Sequence, residues 1–260
     1  MNTIISMLLL FVYNSLNKDV YYDIAVYILD HLDEMESISI ENIAHNCHTS
    51  TITIKKFYNL LGIESFKKFK TLLNDTRVGR LEQIKFRYSQ INEEEIFEQV
   101  KILSHNKLLR KEVFMSDIEK VVDFIYDAKR TYINGAIFPL ALTLNFVEDM
   151  KIFGKPFYIE QLNYKYNMND YNEDDLLFII TITGRYLMQN KQSFLKMYES
   201  SAKKVILTQN SIFQTFYVFD CMIPLYGSDD SETENLIVIE ILNLIKYRYF
   251  MKYINKGEKV

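Results

Sequence analysis

Two short stretches hold side chains whose types and spacing could do chemistry. In the first, Thr49, Ser50, Thr51, Ile52, Thr53, Lys55 and Lys56 fall within "TSTITIKK". Hydroxyls and ammonium groups at this density suit a polyanion. A threonine can hydrogen-bond a base edge or a phosphate, and a lysine can neutralise a phosphate or reach guanine. In the second, "TITG" (Thr181 to Gly184) places two hydroxyls and a glycine where an apolar run gives way to a helix. Backbone amides and threonine hydroxyls there suit a phosphate. A plain structural turn reads the same way. His45, Cys47 and His48 also cluster, but a metal site needs about four ligands and no second pair accompanies them. A polar turn with one buried cysteine accounts for them. No nucleophile triad, Walker loop or GxGxxG occurs. The histidines, His31, His45, His48 and His105, all precede the second half of the chain, which leaves Glu232 and Glu234 as the available bases. A helix N-terminus also favours glutamate, so no catalysis, metal or cofactor is expected.

The elements that must hold the first stretch are helical. Helices are predicted over about Thr3 to Leu16 and Val20 to Leu32. In the second of these Ile24, Tyr27, Ile28 and Leu32 recur at helical spacing. Ser39 offers an N-cap, and Glu41 sits in the first turn, where the helix dipole favours an acid. Ile40, Ile43 and Ala44 form the apolar side of that short helix. The turn Asn46–Thr49 follows, and Ser50 caps the next helix with Thr53 at its third position. Ile54, Phe57 and Leu61 share the buried face. Thr51, Ile52, Lys55, Lys56 and Asn59 occupy the other, and Gly62 stops the helix. Two short helices joined by a tight turn, with the second exposed, make a helix-turn-helix. The first residues of its second helix meet base edges in the major groove.

Bulk composition agrees with this only locally. The 260 residues carry a net charge of −4, so the whole chain is no polyanion binder. From Ser50 to Arg87, however, nine basic residues stand against three acids. Segregation of this kind points to a local anionic partner. Hydrophobic residues make up 48% and charged residues 25%, the balance of a globular protein, and only 7 Gly and 3 Pro favour helices over a loop-rich β fold. The two cysteines, Cys47 and Cys221, form no disulfide framework, which suits a reducing cytoplasm. The apolar run "IISMLLLFVY" lacks a basic n-region and is too short to span a bilayer, so it reads as a buried helix. A cytoplasmic protein without a membrane partner is expected.

The segment "ISIENIAHNCHTSTITIKKFYNLLGIESFKKFKTLL" resembles the N-terminal domain of RpiR-type bacterial transcriptional regulators. Ile40, Ile43, Ala44, Ser50, Thr53, Ile54, Phe57, Leu61, Gly62, Ile63, Phe66, Phe69 and Lys70 carry the pattern without a gap. Thr49 replaces a small aliphatic residue, and Lys56 replaces an arginine, keeping the charge without the bidentate fork. The resemblance covers about residues 1–75 and implies binding of double-stranded DNA through residues 49–53, 55 and 56.

Beyond it, residues 76–107 read as a polar connector with some helix, basic from Arg77 to Arg87 and acidic at Glu93, Glu94, Glu95 and Glu98. The basic half offers further phosphate contacts, or only a solvated face. Residues 108–260 alternate. Helices are predicted at Asp117–Ala128, Leu140–Phe153, Asn190–Ser200 and Glu234–Tyr253. Strands are predicted at "RTYINGA", "PFYIE", "LLFIITITG", "KKVILTQN" and "FDCMIPLY". Alternation means a parallel sheet flanked by helices, with ligands at the carboxyl ends of the strands. The fold class is therefore mixed, an all-α head followed by an α/β domain.

That second domain resembles the SIS (sugar isomerase) domain, the usual partner of an RpiR-type head. "TITGRY" corresponds to its S-x-S-G-x-T loop, with Thr181 and Thr183 for the serines, Gly184 kept and Tyr186 for the last threonine. "GAIFP" keeps Gly135 of the first loop but puts Ile137 and Pro139 where a glycine and a serine would stand. The resemblance implies a sugar-phosphate effector at Gly135, Thr181, Thr183, Gly184 and Thr208, and a homodimer or homotetramer. The altered first loop supports an alternative in which the domain only dimerises. A phosphosugar isomerase is a third and remoter reading.

Overall fold

The computed structural model describes residues 3–105, 109–160, 170–225 and 231–255. The chain divides into two compact units. The first comprises Met1–Gln90 and Glu148–Gly154, and the second comprises Ile91–Val147 and Lys155–Val260.

The first unit is helical: α1 (Ile4–Asn14), α2 (Val20–Asp30), α3 (Ile40–Asn46), α4 (Thr51–Leu60) and α5 (Phe66–Tyr88). Side-chain oxygens open four of them. Asp19, Ser39, Ser50 and Ser65 each accept first-turn backbone N–H groups, which would otherwise be orphaned. The N-terminal run is buried on one face only. Ile4, Ile5, Leu8 and Leu9 face inward, while Met7, Leu10 and Phe11 are exposed. The run thus forms the expected helix, and its apolar residues supply a core stripe on one face. α5 continues unbroken to Tyr88.

Residues Glu148–Gly154 enter this unit through charge. The Ser6 hydroxyl donates to the Glu148 carboxylate. Arg80 Nε lies 3.1 Å from Asp149 Oδ1 and donates to it. A second guanidinium nitrogen stands 3.0 Å from that oxygen and 3.8 Å from Glu148 Oε2. Lys151 Nζ is 2.6 Å from Asp30 Oδ1. Asp149 is wholly buried. Burial drives the Lys151 pKa down, and Asp30 opposes that shift. Arg80, expected in the basic half of the connector, is therefore an internal counter-ion.

The second unit begins with α6 (Glu93–Leu103) and α7 (Lys111–Asp127). A five-stranded sheet follows, with β1 (Arg130–Gly135), β2 (Phe157–Glu160), β3 (Asp175–Ile180), β4 (Lys203–Thr208) and β5 (Cys221–Pro224). Their order is β2-β1-β3-β4-β5 and every pairing is parallel. β3 is buried along its whole length, which is why its sequence shows no alternation. Between the strands lie α8 (Ile137–Leu142), α9 (Leu144–Ile152), α10 (Arg185–Gln189) and α11 (Lys191–Glu199), and α12 (Ser231–Tyr249) closes the domain. The single helix expected over Leu140–Phe153 is thus two. Thr143 separates them by turning both its N–H (3.0 Å) and its hydroxyl (2.7 Å) onto the Leu140 carbonyl. α9 starts in the second unit and ends, from Glu148, in the first. Residues 106 and 107 of the expected connector and Tyr226 of the last expected strand lie outside the described residues.

Both cysteines are buried. Burial, with the Asp23 charge beside Cys47 and the Asp117 charge beside Cys221, pushes their pKa values up to about 11 and about 12. At pH 8 their thiolate fraction falls roughly 100-fold or more below that of an ordinary cysteine. Alkylation by iodoacetamide, followed by mass spectrometry, should therefore be slower than in the urea-unfolded chain by at least that factor. Equal rates in the two states would contradict the burial.

Candidate nucleic-acid interface and ligand site

α4 is positioned by two turns built from hydrogen bonds. α3 ends with Thr49 N–H on the Ala44 carbonyl (2.8 Å) and His48 N–H on that of His45 (3.1 Å). This is a Schellman closure with His48 in the left-handed region, φ 50°. Histidine takes that conformation more readily than bulky residues do. The next residue but one, Ser50, caps α4 by accepting the Thr53 N–H at 3.2 Å, and its hydroxyl meets that of Thr53 at 3.0 Å. At the far end Gly62, φ 75°, makes the second Schellman closure, with Ile63 N–H on the Tyr58 carbonyl (3.1 Å) and its own N–H on that of Asn59 (2.9 Å). Both ends of α4 are thereby fixed in register. Ser50→Ala removes one cap and is expected to cost about 1 kcal/mol of stability, read from urea unfolding of the first unit.

The inward face of α4 is aromatic. Phe57 packs against Phe11 (ring centroids 6.4 Å), Tyr21 (5.9 Å) and Phe69 (6.5 Å), so one ring ties the helix to α1, α2 and α5. Its outward face presents Thr51, Ile52, Lys55, Lys56 and Asn59, all exposed. Ile52 is 66% exposed, an apolar group among polar ones on a helix start. A thymine methyl is a fitting partner for it. Thr49 and Thr53 are half-buried; their backbones and the Thr53 hydroxyl serve the turn and the cap. Beyond α4, Lys67 and Lys68 are exposed. Lys70 instead donates to the carbonyls of Glu36 (2.8 Å) and Ile38 (3.2 Å). Lys85 pairs with Glu82 at 3.1 Å. The basic count of this stretch is therefore divided between outward and structural cations.

In the second unit, the residues expected at an effector site stand at the carboxyl ends of β1, β3 and β4. Gly135 ends β1 so close to β3 that a Cβ would lie 2.3 Å from the Ile180 carbonyl oxygen, so only glycine fits. Gly184, φ 78°, packs against the Phe213 ring. The Thr183 hydroxyl accepts from Arg185 Nε (3.1 Å), and the Thr183 carbonyl accepts from the Asn210 amide (3.0 Å). Thr208, fully buried, donates to the Ile182 carbonyl (3.1 Å) and accepts the Asn210 N–H (3.1 Å). Thr181 is buried and its N–H bonds the Leu207 carbonyl (3.0 Å). Most of these groups thus shape the loops and leave Thr183 at the surface beside Arg185.

Four residues that sequence reasoning had not assigned to the site join it. Asn134, wholly buried inside a strand, donates its amide to Glu160 Oε2 (2.8 Å) at the end of β2. Tyr171 also donates to that carboxylate. Arg185 is exposed directly after Gly184. Asn134 near the end of a predicted strand was the available signal, because a buried amide must be satisfied by specific partners. Glu234, one of the two possible bases, is buried, and the Glu232 side chain lies outside the described residues.

Among the described residues, no helix is long and apolar enough to cross a membrane. No curated protein is similar to the chain. Among the solved structures similar to the chain are three of low identity. The NanR protein of Vibrio vulnificus, solved with ManNAc-6P, is 14% identical over 95% of this chain and 92% of that one, with a TM-score of 0.47. The sugar isomerase domain of an RpiR transcription factor from Sphaerobacter thermophilus is 16% identical over 61% and 87%, TM-score 0.45. A hypothetical protein of Methanococcus jannaschii, whose structure infers a 3-hexulose-6-phosphate isomerase, is 17% identical over 60% and 88%, TM-score 0.44. The model of the helix-turn-helix domain, rpiR family, matches residues 13–77, a span that contains the capped, outward-facing α4. This chain thus carries, at its N-terminal end, a DNA-binding helix-turn-helix domain of the rpiR family.

Proposed function

We propose that the protein is a cytoplasmic, one-component transcriptional regulator whose α/β domain binds a sugar phosphate and thereby modulates DNA binding. The observation that carries the DNA half is the exposed α4 face within the rpiR-family match. Thr51, Ile52, Lys55 and Lys56 face the duplex, while Thr49, Ser50 and Thr53 hold the helix start. Two heads in a homodimer or homotetramer would read half-sites about one helical turn apart or a multiple of it.

The effector half rests on the chemistry at the carboxyl ends of the strands and on the SIS resemblance. Arg185 offers an exposed guanidinium beside the Thr183 hydroxyl, a pair suited to phosphate. Asn134 and Glu160 supply an amide and a carboxylate of the kind that bind sugar hydroxyls. The protein is read as a regulator and not as an isomerase. The described part of the site offers no histidine, and isomerisation needs a positioned base. The test is thermal unfolding of the full chain with glucosamine 6-phosphate, fructose 6-phosphate and inorganic phosphate. A sugar phosphate at 100 times its Kd stabilises by about 2.7 kcal/mol. Such a shift should vanish in Arg185→Ala. No shift with any sugar phosphate would favour the alternative, a domain that only dimerises. Turnover of a sugar phosphate would establish the enzyme reading.

A further inference from the structure

From the side chains at the carboxyl end of β1, we infer that Tyr186 is a built-in occupant of the ligand site, a phenol that a sugar phosphate must displace. This inference rests on the sugar-phosphate reading above.

Tyr186 sits two residues beyond Gly184, on α10, yet its hydroxyl reaches the end of β1 and donates to Asn134 Oδ1 at 3.3 Å. Asn134 in turn donates to Glu160. A line of hydrogen bonds therefore runs from the Thr183–Gly184 loop across to β2, through atoms that a sugar's hydroxyls would otherwise meet. The phenol also lies beside the Gly135 backbone. Burial and the Glu160 charge raise its pKa, and the Gly135 backbone works in the opposite direction. Gly135 has no side chain because Ile180 leaves no room for one. The phenol ring leans on the core formed by Tyr132, Tyr171, Leu177, Ile179 and Leu187, so it is held there and not waving in solvent.

The arrangement mimics a ligand: one aromatic body packed on an apolar wall, and one hydroxyl satisfying a buried amide. A bound sugar would have to supply the hydroxyl that Asn134 loses, because an unsatisfied buried amide is costly. That requirement selects polyhydroxylated ligands over inorganic phosphate alone. It also lowers apparent affinity by the fraction of molecules in which the phenol is out.

The test is calorimetric titration of the full-length wild type, Tyr186→Phe and Tyr186→Ala with glucosamine 6-phosphate, fructose 6-phosphate and inorganic phosphate. Tyr186→Ala should bind a sugar phosphate about tenfold more tightly than the wild type, with Tyr186→Phe in between and inorganic phosphate unimproved. If Tyr186→Ala fails to fold, the gain or its absence in Tyr186→Phe decides. Equal or weaker binding by the folded variants would overturn the inference and make Tyr186 a ligand contact or a core residue only. Absence of binding in all three proteins, with DNA binding retained, would overturn the sugar-phosphate reading itself.

Discussion

Asp149→Ala is expected to lower the unfolding free energy of the first unit by about 3 kcal/mol. Asp149 is wholly buried, and Arg80 approaches it with two nitrogens, at 3.1 and 3.0 Å. Removing the carboxylate leaves a largely buried guanidinium without that counter-charge. Breaking a buried pair from one side costs more than the pair itself contributes, because the surviving ion has lost its water as well as its partner. Glu148, 3.8 Å from the same guanidinium, keeps the loss at the lower end of the range for such pairs. Asp149→Asn retains an acceptor and should cost about half as much. Urea unfolding followed by circular dichroism reads both values. A loss under 1 kcal/mol for Asp149→Ala would mean that residues 148–154 are not anchored in the first unit by this pair.

Lys55→Ala combined with Lys56→Ala should weaken DNA binding about 30-fold at 0.15 M salt and reduce the slope of log K against log salt by about 2. Both side chains are exposed on the outward face of α4, and neither has a role in the core. The α4 caps and the Phe57 ring packing lie elsewhere on the helix, so folding should be unaffected. If both lysines meet phosphates, the loss is uniform across sequences. If one reaches guanine, the loss is larger on the preferred sequence than on others. Wild-type affinity and slope in the double variant would remove α4 from the interface.

The features that were legible in the sequence share a physical cause. Ser50, Gly62 and the apolar spacing of Ile54 and Phe57 act within one helix, so a window of a dozen residues contains both the signal and its partners. β3 was legible because a strand covered on both faces must be apolar throughout. What escaped was non-local. Arg80 and Asp149 are 69 residues apart, and Lys151 and Asp30 are 121 apart. Each looks like a solvated charge until the fold brings its partner. The same holds for Asn134 and Glu160, which meet because β1 and β2 pair in register. The break at Thr143 escaped because a threonine can continue a helix as readily as its hydroxyl can end one.

α4 is proposed to read a DNA sequence. The most direct test is selection from a pool of random duplexes by the full-length protein, beside the variant with Thr51, Ile52, Lys55 and Lys56 all changed to Ala. The wild type should enrich one pseudo-palindromic sequence, with half-sites about 10 base pairs apart or a multiple of that, and the variant should enrich none. Equal enrichment by both proteins, or no enrichment by the wild type, would contradict that role for α4.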